Sequence, residues 1–404
     1  MKLNTNSILT LALALSPFLG LAQGNPNLKP RNFTIQGKVS DYERAVDNTV
    51  YLQFKQNGKE IKDSAKLING TYSFKGIISY PVNAILQLKV ADSVEQYHKQ
   101  TRILKDYACE FYIDQGKLLA NAPQKLNSTV IQGSAADTDR QQLKAILDPY
   151  YEASNKLYSQ EGTPAYKSKD SIAIAKYTKK SYALQDKIDA AKKAFLFSHP
   201  QSGMVLDMLS EYTRTILEPA EIEPFFNKIQ PALKASAEGQ AYASRIEKSK
   251  VTALGAQAEN FVLKDRNGKN VSLASLKGKL VLLDFWGSWC FPCRSTHPHL
   301  RKLYAEYKDK GFEILGVASE RGKPDENYKK WTAALDQDQM TWVNVLSEQA
   351  EKGQQTVPGK YNVNAYPTKV LIDQNGIIVK KFVGSGAANA EALDKLVEQL
   401  LSKN

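Results

Sequence analysis

An apolar run at 280–285, LVLLDF, leads through Trp286-Gly287-Ser288-Trp289 into Cys290-Phe291-Pro292-Cys293, and nothing else in the chain limits the fold so strongly. Six consecutive residues with a single charge read as a buried strand. Beyond the cysteines the pattern turns helical, with Leu300, Leu303, Tyr304 and Tyr307 at three- and four-residue spacing. The two cysteines therefore stand where a strand ends and a helix begins. Free N–H groups and the positive end of the helix dipole at that place stabilise a thiolate on Cys290. Pro292 suits a first helical turn, where its missing N–H has no partner to lose. Two intervening residues let the sulfurs meet in one small ring, so the pair can cycle between dithiol and disulfide.

Further residues sharpen this reading. The lead-in Phe285-Trp286, the W-C-x-P-C pattern at 289–293 and Pro298 five positions past the second cysteine go together with Ala365-Tyr366-Pro367-Thr368, just before the apolar run at 370–372. In these motifs residues 255–400 resemble the thioredoxin superfamily, in particular the TlpA/ResA-like thiol-disulfide oxidoreductases of the cell envelope. The resemblance implies a cis-proline loop at Pro367, with Trp289, Pro292, Tyr366 and Pro367 lining the place where a substrate chain binds. Cys290 is the expected nucleophile, because it lies at the very end of the helix. Its thiolate attacks a substrate disulfide, and Cys293, one turn inside, resolves the mixed disulfide. Asp284 is the expected base for Cys293. It is the one charge in the apolar strand, and the resemblance places the matching acidic residue behind the resolving cysteine. Burial without a partner would raise its pKa into a useful range; the alternative is a strand-end residue facing solvent. Two departures stand out. Close ResA-like relatives carry an acidic residue where this chain has Thr296, and Phe291 between the cysteines is unusual.

The rest of the chain has a different character. Residues 1–22 read as a secretory signal: Lys2, an apolar core at 8–15, and small residues at 20 and 22 before a cut ahead of Gln23. No cysteine follows that core, so no lipid anchor is expected on the mature N-terminus. Alternating segments at 33–39, 49–54, 71–74, 85–90 and 109–113 are separated by Asn57-Gly58, Asn69-Gly70 and Gln115-Gly116. Short, regularly spaced strands predict an all-β, sandwich-like domain over 23–133. Residues 134–250 are helical and polar, punctuated by Pro164, Pro200, Pro219 and Pro231, and are expected to act as a spacer, the alternatives being packing with the β domain, an interaction surface or pairing with a second subunit. Within 251–404 strands and helices alternate and a hairpin follows, which predicts an α/β sheet covered on both faces. The expected architecture is thus a C-terminal thioredoxin-like α/β fold preceded by an all-β domain and a helical segment. Cys109, on a strand face with Phe111 and Ile113, reads as a small buried hydrophobe rather than a third redox thiol. His98 lies in a polar stretch and reads as a surface residue.

The 404-residue chain carries a net charge of +12, but its acidic and basic residues are interleaved and form no basic block, so nucleic acid is not an expected partner. Cys290, Cys293, His297 and His299 raise the alternative of a zinc site. Only Pro298 separates the histidines, whereas structural zinc sites space them about three to five residues apart, so no metal and no other cofactor is expected. The expectation is an exported thiol-disulfide oxidoreductase of the periplasm or cell envelope. It would reduce protein or peptide disulfides, draw electrons from a membrane thiol donor, and not span the membrane once the signal is removed. Two alternatives remain open at this point. One is an envelope binding protein dominated by its N-terminal domains. The other is a peroxiredoxin-type peroxidase, which would need a lead-in to the cysteine that Trp289-Cys290 lacks.

Overall fold

The computed structural model describes residues 28–42, 45–90, 106–347 and 355–402; the signal-like stretch at 1–22 and His98 lie outside them. The N-terminal part is two four-stranded sheets. One has the order β4-β1-β7-β8 and the other β3-β2-β5-β6, built from β1 (Arg31–Val39), β2 (Ala45–Gln56), β3 (Lys59–Lys66), β4 (Thr71–Ile78), β5 (Val82–Val90), β6 (Ala108–Ile113), β7 (Gly116–Ala122) and β8 (Val130–Gln132). Burial alternates along β1, where Phe33, Ile35 and Val39 face inward, as expected for strands with one covered face. Asn57 and Gly58 join β2 to β3 with φ of 51° and 74°, the left-handed pair that a two-residue hairpin needs.

The helices that follow are α1 (Ala135–Leu157), α2 (Thr163–Ser168), α3 (Ser171–Ser198), α4 (Val205–Tyr212), α5 (Pro219–Phe226), α6 (Pro231–Ala235) and α7 (Ala237–Lys250). They do more than bridge two regions. Phe195, Leu196, Leu209, Ile222, Phe226, Tyr242 and Ile246 join Phe33, Leu52, Leu86 and Phe111 in one continuous apolar core. This corrects the spacer expectation. The polar composition belongs to the outer faces, and the inner faces of α3, α4, α5 and α7 supply core that the sheets need. Cys109 is buried in the same core, and burial pushes its thiol up from the ordinary value.

The C-terminal part opens with a hairpin of β9 (Val262–Lys264) and β10 (Asn270–Ser272). Its main sheet has the order β13-β12-β11-β14-β15, from β11 (Leu280–Trp286), β12 (Phe312–Ala318), β13 (Val343–Leu346), β14 (Thr368–Ile372) and β15 (Ile378–Val383). Strands β11, β12 and β13 run parallel, while β14 and β15 are antiparallel additions. Every residue of β11 and β12 is buried. Alternation along β11 divides it between two cores: Val281, Leu283 and Phe285 pack with Phe261 and Tyr361, and Leu280 and Leu282 with Leu300, Leu303, Leu393 and Val397. The helices are α8 (Phe291–Arg294), α9 (His297–Tyr307), α10 (Pro324–Gln337), α11 (Val357–Lys360) and α12 (Ala387–Leu401). The helix after the cysteines is therefore in two pieces. Pro298, in the first turn of α9, has no N–H to carry a bond back across the joint at Ser295-Thr296. Among the described residues, no helix is long and apolar enough to cross a membrane.

Candidate active site

Strand β11 ends at Trp286 and Gly287 turns the chain. A side chain at Gly287 would collide with the Ser319 carbonyl, 2.6 Å from the position of its Cβ, so the turn requires glycine. Ser288 is clamped by Glu320, whose carboxylate accepts from the Ser288 N–H at 2.7 Å and its hydroxyl at 2.6 Å. The Trp289 indole donates to the Ser319 carbonyl at 2.8 Å, and the Arg321 guanidinium lies 3.4 Å from the ring centroid. The cysteines are thus presented by a turn that is fastened to the loop after β12.

Cys290 and Cys293 are joined by a disulfide. Cys290 is the N-cap of α8, and its sulfur accepts from the Cys293 N–H at 3.2 Å. That bond is a direct means of stabilising negative charge on Cys290 and does not rely on a long helix. Pro292 occupies the first turn, as expected. Cys293 is completely enclosed and Cys290 is 3% exposed, but Cys290 is flanked by Trp289 at 37% and Phe291 at 82%. The Tyr366–Pro367 peptide is cis. Tyr366 packs against Trp289, with ring centroids 5.5 Å apart, donates to the Ser319 hydroxyl at 2.9 Å, and packs on the cluster that holds both cysteines. Trp289 and Tyr366 thus form an aromatic wall beside the cysteine cluster, Pro292 lies between the two cysteines, and Pro367 follows Tyr366 through the cis peptide.

Asp284 is fully buried, which removes the solvent-facing alternative. Its environment is not the unpartnered one expected. Lys369, opposite it on β14, places Nζ 3.3 Å from Oδ1, and His297 places Nε2 3.7 Å from Oδ2. Burial alone would raise the carboxyl. The Lys369 ammonium, with His297, outweighs that, and Asp284 is held below the ordinary carboxylate value. The expectation of a raised pKa is therefore corrected, because a second charge shares the buried face. Lys369 Nζ also donates to Thr296 Oγ1 at 3.1 Å, and Thr296 donates to the Cys293 carbonyl at 2.8 Å. Thr296, the departure from the relatives' acidic residue, thus ties the lysine to the resolving cysteine's backbone.

Sequence reasoning missed Lys369, Ser319, Glu320, Arg321 and Asp338. A signal existed for Lys369, a cation beside an apolar run, but not for the loop after β12. The two histidines of the zinc alternative are engaged elsewhere. His297 Nδ1 lies 2.7 Å from Asp338, and His299 Nε2 lies 2.8 Å from Asp394.

Residues 254–381 match the AhpC/TSA family, and residues 33–139 match a domain of unknown function, DUF4369. The thiol-disulfide oxidoreductase ResA of Bacillus thuringiensis (strain Al Hakam) is 37% identical over 137 residues, covering 32% of this chain and 70% of the relative. This chain belongs to the ResA-like thiol-disulfide oxidoreductases. The ResA of Halalkalibacterium halodurans is 35% identical over 144 residues, covering 36% of this chain and 75% of that one. Two solved structures also align. The thioredoxin domain of a thiol-disulfide oxidoreductase from Bacteroides vulgatus has 34% identity and TM-score 0.31, covering 36% of this chain and 98% of that one. A thiol-disulfide oxidoreductase from Bacteroides fragilis has 26% identity and TM-score 0.30, covering 35% and 98%. The AhpC/TSA match at 254–381 spans β11, the cysteines and the cis-proline loop, and the enzyme is a thiol-disulfide oxidoreductase.

Proposed function

We propose that this ResA-like enzyme is exported and reduces protein disulfides in the cell envelope, with Cys290 as nucleophile and Cys293 as resolving thiol. The observation that carries the assignment is the asymmetry of the pair. Cys290 lies at the edge beside exposed Phe291, with a backbone N–H on its sulfur, and Cys293 is enclosed. In the reduced enzyme the Cys290 thiolate attacks one sulfur of a client disulfide. A Cys290–client disulfide forms and the other client sulfur leaves as thiolate. Cys293 loses its proton, and its sulfur attacks Cys290. The Cys290–Cys293 bond forms and the second client thiol is released, so two electrons pass to the client. Asp284 belongs to the proton path of this second step. The aromatic wall of Trp289 and Tyr366, with the cis loop at Pro367, supports binding of an extended client segment by its backbone and side chains. A membrane thiol donor would restore the dithiol. Export rests on the signal pattern at 1–22.

The test is reduction of insulin by catalytic amounts of the protein with dithiothreitol as electron source, paired with fractionation of the producing cells. Turnover that is lost in Cys290→Ser, with the protein in the envelope fraction, is expected. Turnover of hydrogen peroxide in place of insulin would indicate the peroxidase alternative, and a cytosolic location would contradict export.

A further inference from the structure

Asp284 Oδ1 and Oδ2 and His297 Nε2 are buried without a hydrogen bond, and they face one another. His297 is wholly enclosed, at the start of α9, four residues past Cys293. Trp286 stands edge-on to its ring at 5.0 Å and Trp342 at 6.2 Å. Trp286 belongs to the apolar cluster that contains both cysteines. The other ring nitrogen, Nδ1, meets Asp338 Oδ2 at 2.7 Å. Asp338 is in turn gripped by Arg294 through Nε at 2.9 Å and Nη2 at 2.7 Å, and its backbone carbonyl accepts from Arg301. Asp338 is also the place where this line of groups reaches solvent, since its side chain is 13% exposed.

The contact with Asp338 orients the imidazole. Burial would raise the Asp338 carboxyl, but Arg294 and His297 outweigh it and keep it ionised, so it can only accept. Nδ1 of His297 therefore carries a hydrogen. Nε2 then presents either a lone pair or an N–H to the Asp284 carboxylate, and which of the two depends on where one proton resides. The charged groups facing this imidazole are Asp284 from β11, Lys369 from β14 by way of Asp284, Asp338 from the end of α10, and Arg294 from α8 by way of Asp338.

We propose that His297 is a positioning residue for the resolving step, linking Asp284 to Asp338 as a buried relay for the proton that Cys293 gives up. The inference rests on the reading of Cys290 and Cys293 as the redox pair. In the resolving step the Cys293 thiol passes its proton to Asp284. The Cys293 sulfur bonds to the Cys290 sulfur, the Cys290–client bond breaks, and its electron pair leaves on the client sulfur, which is protonated from solvent. The proton on Asp284 moves to His297 Nε2, and the hydrogen on Nδ1 passes to Asp338 at the surface. When a donor reduces the disulfide again, the proton returns along the same line, so no ring flip is needed. Lys369 explains why a relay is required. It disfavours a proton staying on Asp284, and the imidazole removes it.

The test is single-turnover reduction of a fluorogenic disulfide peptide by the full-length reduced protein from about pH 5 to 9, with decay of the mixed disulfide as readout. In His297→Gln, resolution is expected to slow about tenfold near neutrality, within the reach of a proton-transfer contribution, and to lose the wild-type plateau by climbing with pH as hydroxide replaces the relay. Damage to packing alone would lower the rate by one factor at every pH. Asp338→Asn, which keeps the imidazole and removes its outlet, is expected to displace the profile in the same direction, and it carries the test if His297→Gln does not fold. A wild-type pH profile in a folded His297→Gln or Asp338→Asn protein overturns the relay. Absence of any mixed disulfide in the wild type would instead bring down the assignment of the redox pair.

Discussion

Among the described residues, two aspartates are fully buried, and they are treated in opposite ways. At the junction of the N-terminal sheets and helices, Asp137 is closed on every side. Its oxygens accept from the Tyr112 N–H at 3.1 Å, from Arg140 Nε at 2.6 Å and from Gln141 Nε2 at 2.7 Å. In the C-terminal sheet, Asp284 has the Lys369 ammonium at 3.3 Å, the His297 imidazole at 3.7 Å and no hydrogen bond. A buried carboxylate that only holds elements together is most stable when each lone pair is filled, because an unfilled one costs about 1–3 kcal/mol. A carboxylate that must exchange a proton cannot be filled in that way. The difference separates a region built for rigidity from one that tolerates an unfavourable arrangement on the strand that leads to its cysteines.

The largest effects should come from the cysteines themselves. Cys290→Ser is expected to abolish client reduction. Cys293→Ser is expected to retain one half-reaction and accumulate a stable Cys290–client disulfide, seen as a mass increase on non-reducing electrophoresis. The paired aspartate variants come next and test the comparison directly. Asp284→Asn should slow resolution about a hundredfold, in the range of general acid–base contributions. Asp137→Asn should leave turnover per folded molecule unchanged and lower stability to urea by about 1–3 kcal/mol. Equal loss of turnover in both would erase the distinction.

A smaller, pH-dependent effect follows from Lys369. A carboxyl held below its ordinary value contributes stability that is present above about pH 4 and is lost as the pH falls through the lowered value. Lys369→Met removes the main opposing charge and leaves burial dominant, so the carboxyl should rise above its unfolded value. The sign then reverses, and the variant should gain stability on going from neutral pH to about pH 4.5, at roughly 1.4 kcal/mol for each unit of upward shift. Urea midpoints at the two pH values check this. The smallest effect is expected for Phe291→Ala. With 82% of the ring exposed, its loss should change stability by less than about 0.5 kcal/mol and raise KM for a peptide client severalfold.

The parts of this architecture that depend on neighbouring residues were legible in the sequence. Alternation marked the N-terminal strands, Asn57-Gly58 marked a hairpin, and an apolar run broken by one aspartate marked the strand that carries the site. What could not be read depends on register and distant packing. Asp284 meets Lys369 only because β11 and β14 pair antiparallel in that register, and no local pattern specifies it. The raised carboxyl was inferred from burial, and it is the cross-strand lysine that changes its sign. Glu320 fastens Ser288 from a loop whose sequence carries no signature. Helices α3 to α7 hide their apolar inner faces among polar residues, so their place in the core emerges only when they meet the sheets.

The reduction potential of the Cys290–Cys293 pair, measured by equilibrium with dithiothreitol or glutathione in a Cys109→Ala background, tests the central claim most directly. A reversible two-electron couple near thioredoxin's, about −270 mV, is the predicted result and fits a reductant that must be recharged. A value near about −120 mV, typical of a strong oxidant, would contradict the reductive account, and the absence of any couple would remove the redox role altogether.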